Sequence, residues 1–149
     1  MAKTMTAEIK EREAQTVYGL WRRSSVNSAV SEWEHLMVLY TSKTGDKGMR
    51  FVIRDNTDEK MNCDLFCGGQ TNAEDLSVCT IPAGTYVSVR VTPKFGLFWG
   101  TAIDDADRYL QNEWLSTSGR RLADYRLEIR DMMGKKPYVE ILYKLEPEE

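Results

Sequence analysis

Three cysteines, Cys63, Cys67 and Cys79, and a single histidine, His35, are the side chains of this 149-residue chain best suited to hold a metal or attack an electrophile. Their number and spacing favour neither role. A zinc site needs about four ligands, and Cys63 and Cys67 are joined by no second cysteine pair and no neighbouring histidine. No serine or cysteine stands with His35 in the order of a nucleophilic triad. An odd thiol count without a secretory leader reads as reduced cysteines. The glycines form neither GxxxxGK[ST] nor GxGxxG, so no phosphate loop is encoded. The expectation is no catalytic residue, no metal and no cofactor.

What remains is a set of carboxylates among aromatic residues. A single carboxylate facing aromatic rings attracts lipophilic cations, through its charge and through the ring quadrupoles. The candidates are Glu140, Glu128, Trp21, Tyr86, Trp99 and Leu142. Trp99, with Phe95 and Phe98, suggests an aromatic lid. The competing reading is ordinary: Glu140 pairs with a cross-strand arginine, and Trp21 is a half-covered surface residue. Which reading holds depends on the elements that carry these residues.

Ala7–Arg23 reads as a strand, and Ser24, Ser25, Asn27 and Ser28 as helix-start residues. Val30, Trp33, Met37 and Tyr40 then recur at helical spacing. Two short strands follow, Met49–Asp55 and Asn62–Cys67. The second half repeats this order. Ser77–Thr92 is a strand interrupted at Pro82-Ala83-Gly84. Trp99, Ala102 or Ile103, Ala106, Leu110 and Trp114 form a helical stripe ending at Ser118-Gly119. Tyr125–Asp131 and Tyr138–Leu145 close the chain.

The repetition extends to identities. Shifted by 76 positions, Arg50-Phe51-Val52-Ile53-Arg54-Asp55 falls on Arg126-Leu127-Glu128-Ile129-Arg130-Asp131, and Asp64-Leu65-Phe66 on Glu140-Ile141-Leu142. The opening strands align at a smaller offset, Ala14 with Ala83 and Thr16 with Thr85. The expected architecture is α+β: one domain over 1–149, built from a duplicated β-α-β-β unit (7–67 and 76–145, linker 68–75). A pseudo-two-fold relates the halves in one curved antiparallel sheet with two helices. Strand alternation places Val139, Ile141, Tyr143 and Leu145, with Tyr125, Leu127 and Ile129, under the helices. Trp21, Tyr86, Leu142, Glu128 and Glu140 fall on the other face.

Net charge is −3, which argues against a general nucleic-acid surface. Arg120-Arg121 and Lys135-Lys136 read as solvated ends. No run approaches the ~18 apolar residues of a membrane helix, and the polar start is no signal peptide. The expected setting is the cytoplasm, without direct nucleic-acid or membrane binding.

Ile81-Pro82-Ala83-Gly84-Thr85-Tyr86 resembles the IPAGxY strand of the gyrase-inhibitor-like (GyrI-like) family, which includes effector-binding domains of AraC-type and MerR-type multidrug regulators. Glu113-Trp114-Leu115 with Ser118-Gly119 resembles its helix end, and Val139-Glu140-Ile141-Leu142-Tyr143 its closing strand. The likeness spans essentially the whole chain. It implies the same duplicated fold and a stand-alone binder of small aromatic compounds, often cationic. Two alternatives follow from the family: hydrolysis of strained electrophiles such as cyclopropane-bearing compounds, and interaction with gyrase or a regulator. A protein partner or a homodimer is left open. Asp124-Tyr125-Arg126 stands where the family often has Asp-Phe-Glu. An acidic counter-charge is thus replaced by Arg126, with Glu128 two residues on as a substitute.

Overall fold

A break at Glu13-Ala14 splits the expected opening strand in two, and a matching break at Pro82-Ala83 splits its counterpart. The structure is a computed structural model that describes residues 6–26, 29–92, 99–132 and 134–147. Its elements are β1 (Glu8–Arg12), β2 (Gln15–Ser25), α1 (Ala29–Thr44), β3 (Arg50–Asp55), β4 (Asn62–Gly69), β5 (Ser77–Ile81), β6 (Gly84–Val91), α2 (Trp99–Arg108), β7 (Leu122–Asp131) and β8 (Tyr138–Leu145). α2 continues through a π-helical segment, Tyr109–Trp114, into α3 (Leu115–Ser118), and Gly119 ends it in the left-handed region at φ 72°. Ser24 and Ser25 lie in β2 rather than at a helix start. Asn27, Ser28, Phe95, Phe98 and the side chains of Val30 and Trp99 lie outside the described residues.

The eight strands form one antiparallel sheet in the order β1-β6-β8-β7-β3-β4-β2-β5. Each half lends its first short strand to the other: β1 pairs with β6, and β5 with β2. Reading the order from either end gives equivalent strands, so the pseudo-two-fold lies between β3 and β7. Their register is Arg50↔Arg130, Phe51↔Ile129, Val52↔Glu128, Ile53↔Leu127 and Arg54↔Arg126. The axis passes through Val52 and Glu128, which are repeat mates facing each other. Phe51 pairs with Gly68, whereas its mate Leu127 pairs with Leu142. Gly68 is therefore equivalent to Leu142, and Phe66 to Glu140. This corrects the alignment of Asp64 with Glu140: the second hairpin is tighter by two residues.

Both faces of the sheet are buried. Ile103, Ala106 and Leu110 pack on Val87, Val89, Val91, Val139, Ile141, Tyr143 and Leu145. Leu36 and Met37 of α1 pack on Val52, Leu65 and Cys67. The helix-free face has a core of its own, including Val17, Phe51, Ile53, Phe66, Ile81, Tyr86, Leu127, Ile129 and Leu142. A face without helices can bury that much only by curling on itself into a half-barrel. Gly19 and Gly68 are cross-strand partners in β2 and β4. A Cβ on Gly19 would lie 2.2 Å from the Cys67 carbonyl oxygen, and one on Gly68 would lie 2.0 Å from that of Tyr18. Only glycine permits this approach.

The face assignment of β7 is reversed from expectation. Arg126 lies opposite Tyr143, Glu128 opposite Ile141 and Arg130 opposite Val139, all on the helix side. Leu127 and Ile129 face the helix-free core instead. Alternation fixes which residues share a side, but only pairing to a neighbour says which side that is.

Cys63, Cys67 and Cys79 are buried free thiols. Burial raises the Cys67 thiol, and it pushes Cys79 up to about 11. All three should resist Ellman's reagent at pH 8 and react promptly once urea unfolds the chain. Rapid full labelling of the native protein would contradict this packing. Among the described residues, no helix is long and apolar enough to cross a membrane, and no cluster of three or more His, Cys, Asp or Glu could hold a metal ion.

Candidate functional site

Pairing across the sheet places the helix-free side chains in rows. One row runs Trp21, Phe66, Ile53, Leu127, Leu142, Ser88 and Glu8. The next runs Gly19, Gly68, Phe51, Ile129, Glu140 and Arg90. These rows are exchanged by the pseudo-two-fold, so Trp21 corresponds to Arg90 and Phe66 to Glu140. The halves have diverged in kind: one end of the face carries an aromatic pair, the other an ion pair.

At the polar end, Glu140 is 6% exposed. Lys10 donates to its Oε2 at 2.8 Å, Ser88 donates to the same oxygen at 2.5 Å, and Arg90 lies 4.0 Å from Oε1. These partners hold its carboxyl below the usual range despite the opposing effect of burial. Arg90 also stacks 3.9 Å over Tyr138. A cross-strand arginine does approach Glu140, as the ordinary reading required, but the closer partner is Lys10, carried in by β1.

Tyr86 and Leu142 are fully buried in the helix-free core. The Tyr86 hydroxyl donates to the Pro82 carbonyl at 2.7 Å, and burial pushes its pKa up to about 12. Its ring meets that of Tyr125 edge-on at 6.4 Å. Among the described residues, the buried Tyr125 hydroxyl and the buried Nε of Arg12 meet no hydrogen-bond partner.

At the aromatic end, Trp21 is 42% exposed, with its ring centroid 5.1 Å from that of Phe66. Beside it lies a hollow of about 500 Å³ lined by Trp21, Arg22, Arg23, Asp55, Asn56 and Asp64. A larger and more enclosed cleft of about 1190 Å³ runs along β6, lined by Lys10, Ser88 and Arg90 together with Asp105, Arg108 and Asn112.

The structure brings Glu140, Tyr86, Leu142 and Trp21 to one face, and it separates Glu128 from them. Glu128 lies beneath the helices, 3% exposed, bound to Arg126 Nη2 at 2.9 Å and to Nε of Arg130. Arg126 in turn forks onto Asp107 of α2 at 3.0 and 2.9 Å. The Tyr143 hydroxyl donates to Asp107 at 2.6 Å and accepts from Gln111 of the π-helical segment at 2.7 Å. Arg130 stacks 4.0 Å over Trp33 of α1. Arg126 and Arg130 hold the Glu128 carboxyl low against strong desolvation. Every charge here is matched inside the protein, so Glu128 is a strut between α1 and α2.

Sequence reasoning missed Lys10, Asp55 and Tyr125. In the sequence, Lys10 and Tyr125 look like generic strand residues. Asp55 stands out only as the last identity of the repeat, where its mate Asp131 suggests a turn boundary.

No family model matches the chain, and no curated protein sequence matches it. Solved structures do. The fold superposes on an integron cassette protein from the mobile metagenome of Vibrio cholerae with a TM-score of 0.70, at 14% identity, over 94% of this chain and 95% of that one. It superposes on SAV2435 bound to tetraphenylphosphonium at 0.69, with 10% identity over 95% and 94%. The EcmrR C-terminal domain matches at 0.66, with 18% identity over 98% and 100%. The chain therefore shares the fold of these three proteins, at identities that speak for fold alone.

Proposed function

We propose that the helix-free face binds a small lipophilic aromatic compound, favouring cations, at its Trp21 end. One observation carries this reading: Trp21 keeps its indole open over Phe66 beside a hollow, while its row otherwise runs through buried Phe66, Ile53, Leu127 and Leu142. An exposed indole backed by a second ring is a costly surface for a solvated strand and a good seat for a flat ligand. Tyr86 and Leu142 belong to the apolar core of the same face. Support comes also from the shared fold of SAV2435, solved with tetraphenylphosphonium. Glu140 is turned toward Lys10 and Arg90 and holds β1 in place.

Titrating tetraphenylphosphonium and rhodamine dyes against intrinsic fluorescence tests the reading. Micromolar binding is expected. Trp21→Leu should weaken it by about tenfold, or ~1.4 kcal/mol, and remove most of the quenching. Failure of every compound in a broad panel to bind would overturn the reading.

A further inference from the structure

Asp55, a carboxylate of the helix-free face beside the Trp21 hollow, has no cation among the described residues. Glu140 has Lys10, and Asp64 has Arg23 at 3.0 Å. Asp55 is directly opposite Asp64 on β4 and Tyr125 on β7. It makes no ion pair among the described residues. Its Oδ1 accepts the Asn56 backbone N–H at 2.8 Å, and its side chain lines the hollow with Trp21.

The arginines around this hollow are engaged elsewhere. Arg22 binds Glu32 of α1 at 2.8 Å. Arg23 binds Asp64, Asp58 and the Asn56 carbonyl. Asp124 adds another negative charge, its Oδ2 accepting the Thr57 N–H at 2.6 Å. Negative charge therefore exceeds positive charge where the open indole sits. A partly buried carboxylate without a partner costs the folded state free energy. Glu128, Arg126 and Glu140, the buried charges described above, are all matched, which makes the exception informative.

Resting on the proposed ligand reading, we infer that Asp55 is the counter-charge for the bound compound: an organic cation seated on the Trp21 ring with its charged centre against the Asp55 carboxylate. The aromatic face and the carboxylate then attract one positive group together. Burial, then the Asp124 and Asp64 charges, raise the Asp55 carboxyl above its usual range. The groups around it are Asp64 on β4, Arg23 on β2, Asp124 and Tyr125 on β7, and Cys79 on β5. A raised folded pKa means that the ionised form weakens the fold at neutral pH, so neutralising Asp55 should stabilise it.

The experiment measures tetraphenylphosphonium binding by isothermal calorimetry to wild type, Asp55→Asn and Glu140→Gln, with thermal melts of each. Triphenylphosphine oxide serves as the uncharged counterpart. Asp55→Asn should raise the melting temperature and weaken the cation about tenfold, leaving any binding of the neutral compound unchanged. Glu140→Gln should leave cation affinity near wild type. Should the Asn variant fail to fold, Asp55→Ser carries the same expectation for binding. Equal cation affinity in wild type and the Asp55 variant overturns the inference while the ligand reading stands. So does a loss confined to Glu140→Gln. If wild type binds neither compound nor any dye of the wider panel, the ligand reading itself falls and takes this inference with it.

Discussion

Glu128→Ala should destabilise the folded protein by about 3–5 kcal/mol, the cost of removing one partner from a buried ion cluster. The side chain sits under both helices, and its loss leaves Arg126, itself 7% exposed, with Asp107 alone. Arg130 would retain only the Trp33 ring beneath its guanidinium among these partners. Chemical denaturation followed by circular dichroism measures the effect. A loss below about 1 kcal/mol would place the cluster in the class of solvated surface pairs. Replacing Asp107, Arg126, Glu128 and Arg130 together with leucine, methionine, leucine and methionine should recover most of the stability, because matched charges and well-packed apolar groups are often equivalent in a core. The pH dependence follows from the depressed Glu128 carboxyl. Its contribution is fully present above the unfolded glutamate value of about 4.3 and is lost as pH falls through the lower folded value. Wild type should therefore lose stability on acidification more steeply than Glu128→Ala does.

Gly68→Ala should be nearly as damaging, at or above the upper end of the roughly 1–3 kcal/mol typical of overpacking. The added methyl would meet the Tyr18 carbonyl oxygen at 2.0 Å and the Gly19 Cα at 2.7 Å. Both are backbone atoms held in the β2–β4 ladder, so no side chain can swing aside. Gly19→Ala meets the reciprocal clash, and the two substitutions should not add, since either one forces the same strands apart. Gly100→Ala is the control: among the described residues, a Cβ added there on α2 would have nothing within 4 Å. There the change should stabilise by about 0.5–1 kcal/mol through helix propensity. Thermal melts of the three variants would show the contrast. A benign Gly68→Ala would mean that β2 and β4 can part without loss.

Much of this architecture is legible in the residues. The shift of Arg50–Asp55 onto Arg126–Asp131 identifies the duplication, and the structure places those very strands side by side across the pseudo-axis. β8 has the expected bounds, Tyr138–Leu145. What fails is the absolute side of β7. Arg126, Glu128 and Arg130 look in sequence like a solvated stripe, because a buried network of matched charges has the same composition as an exposed one. The exchange of β1 and β5 is hidden for a related reason: Glu13-Ala14 carries no proline or glycine to mark the break that Pro82 marks in its counterpart. At the site, Tyr86, Leu142 and Glu140 share the helix-free face with Trp21, as the alternation suggests. Their partners are invisible in sequence, since Lys10 reaches Glu140 across 130 positions of chain.

The meeting of Val52 and Glu128 on the pseudo-axis bears on ancestry. In a homodimer of identical half-size chains, that position would hold two copies of one residue. Two glutamates would repel each other at the centre of the sheet, and two valines would leave the flanking arginines without an anion. One carboxylate opposite one valine is accessible only to a fused chain whose halves mutate independently. The strut that joins the two helices thus depends on the two halves differing in sequence at this position, as do the aromatic and ionic ends of the face.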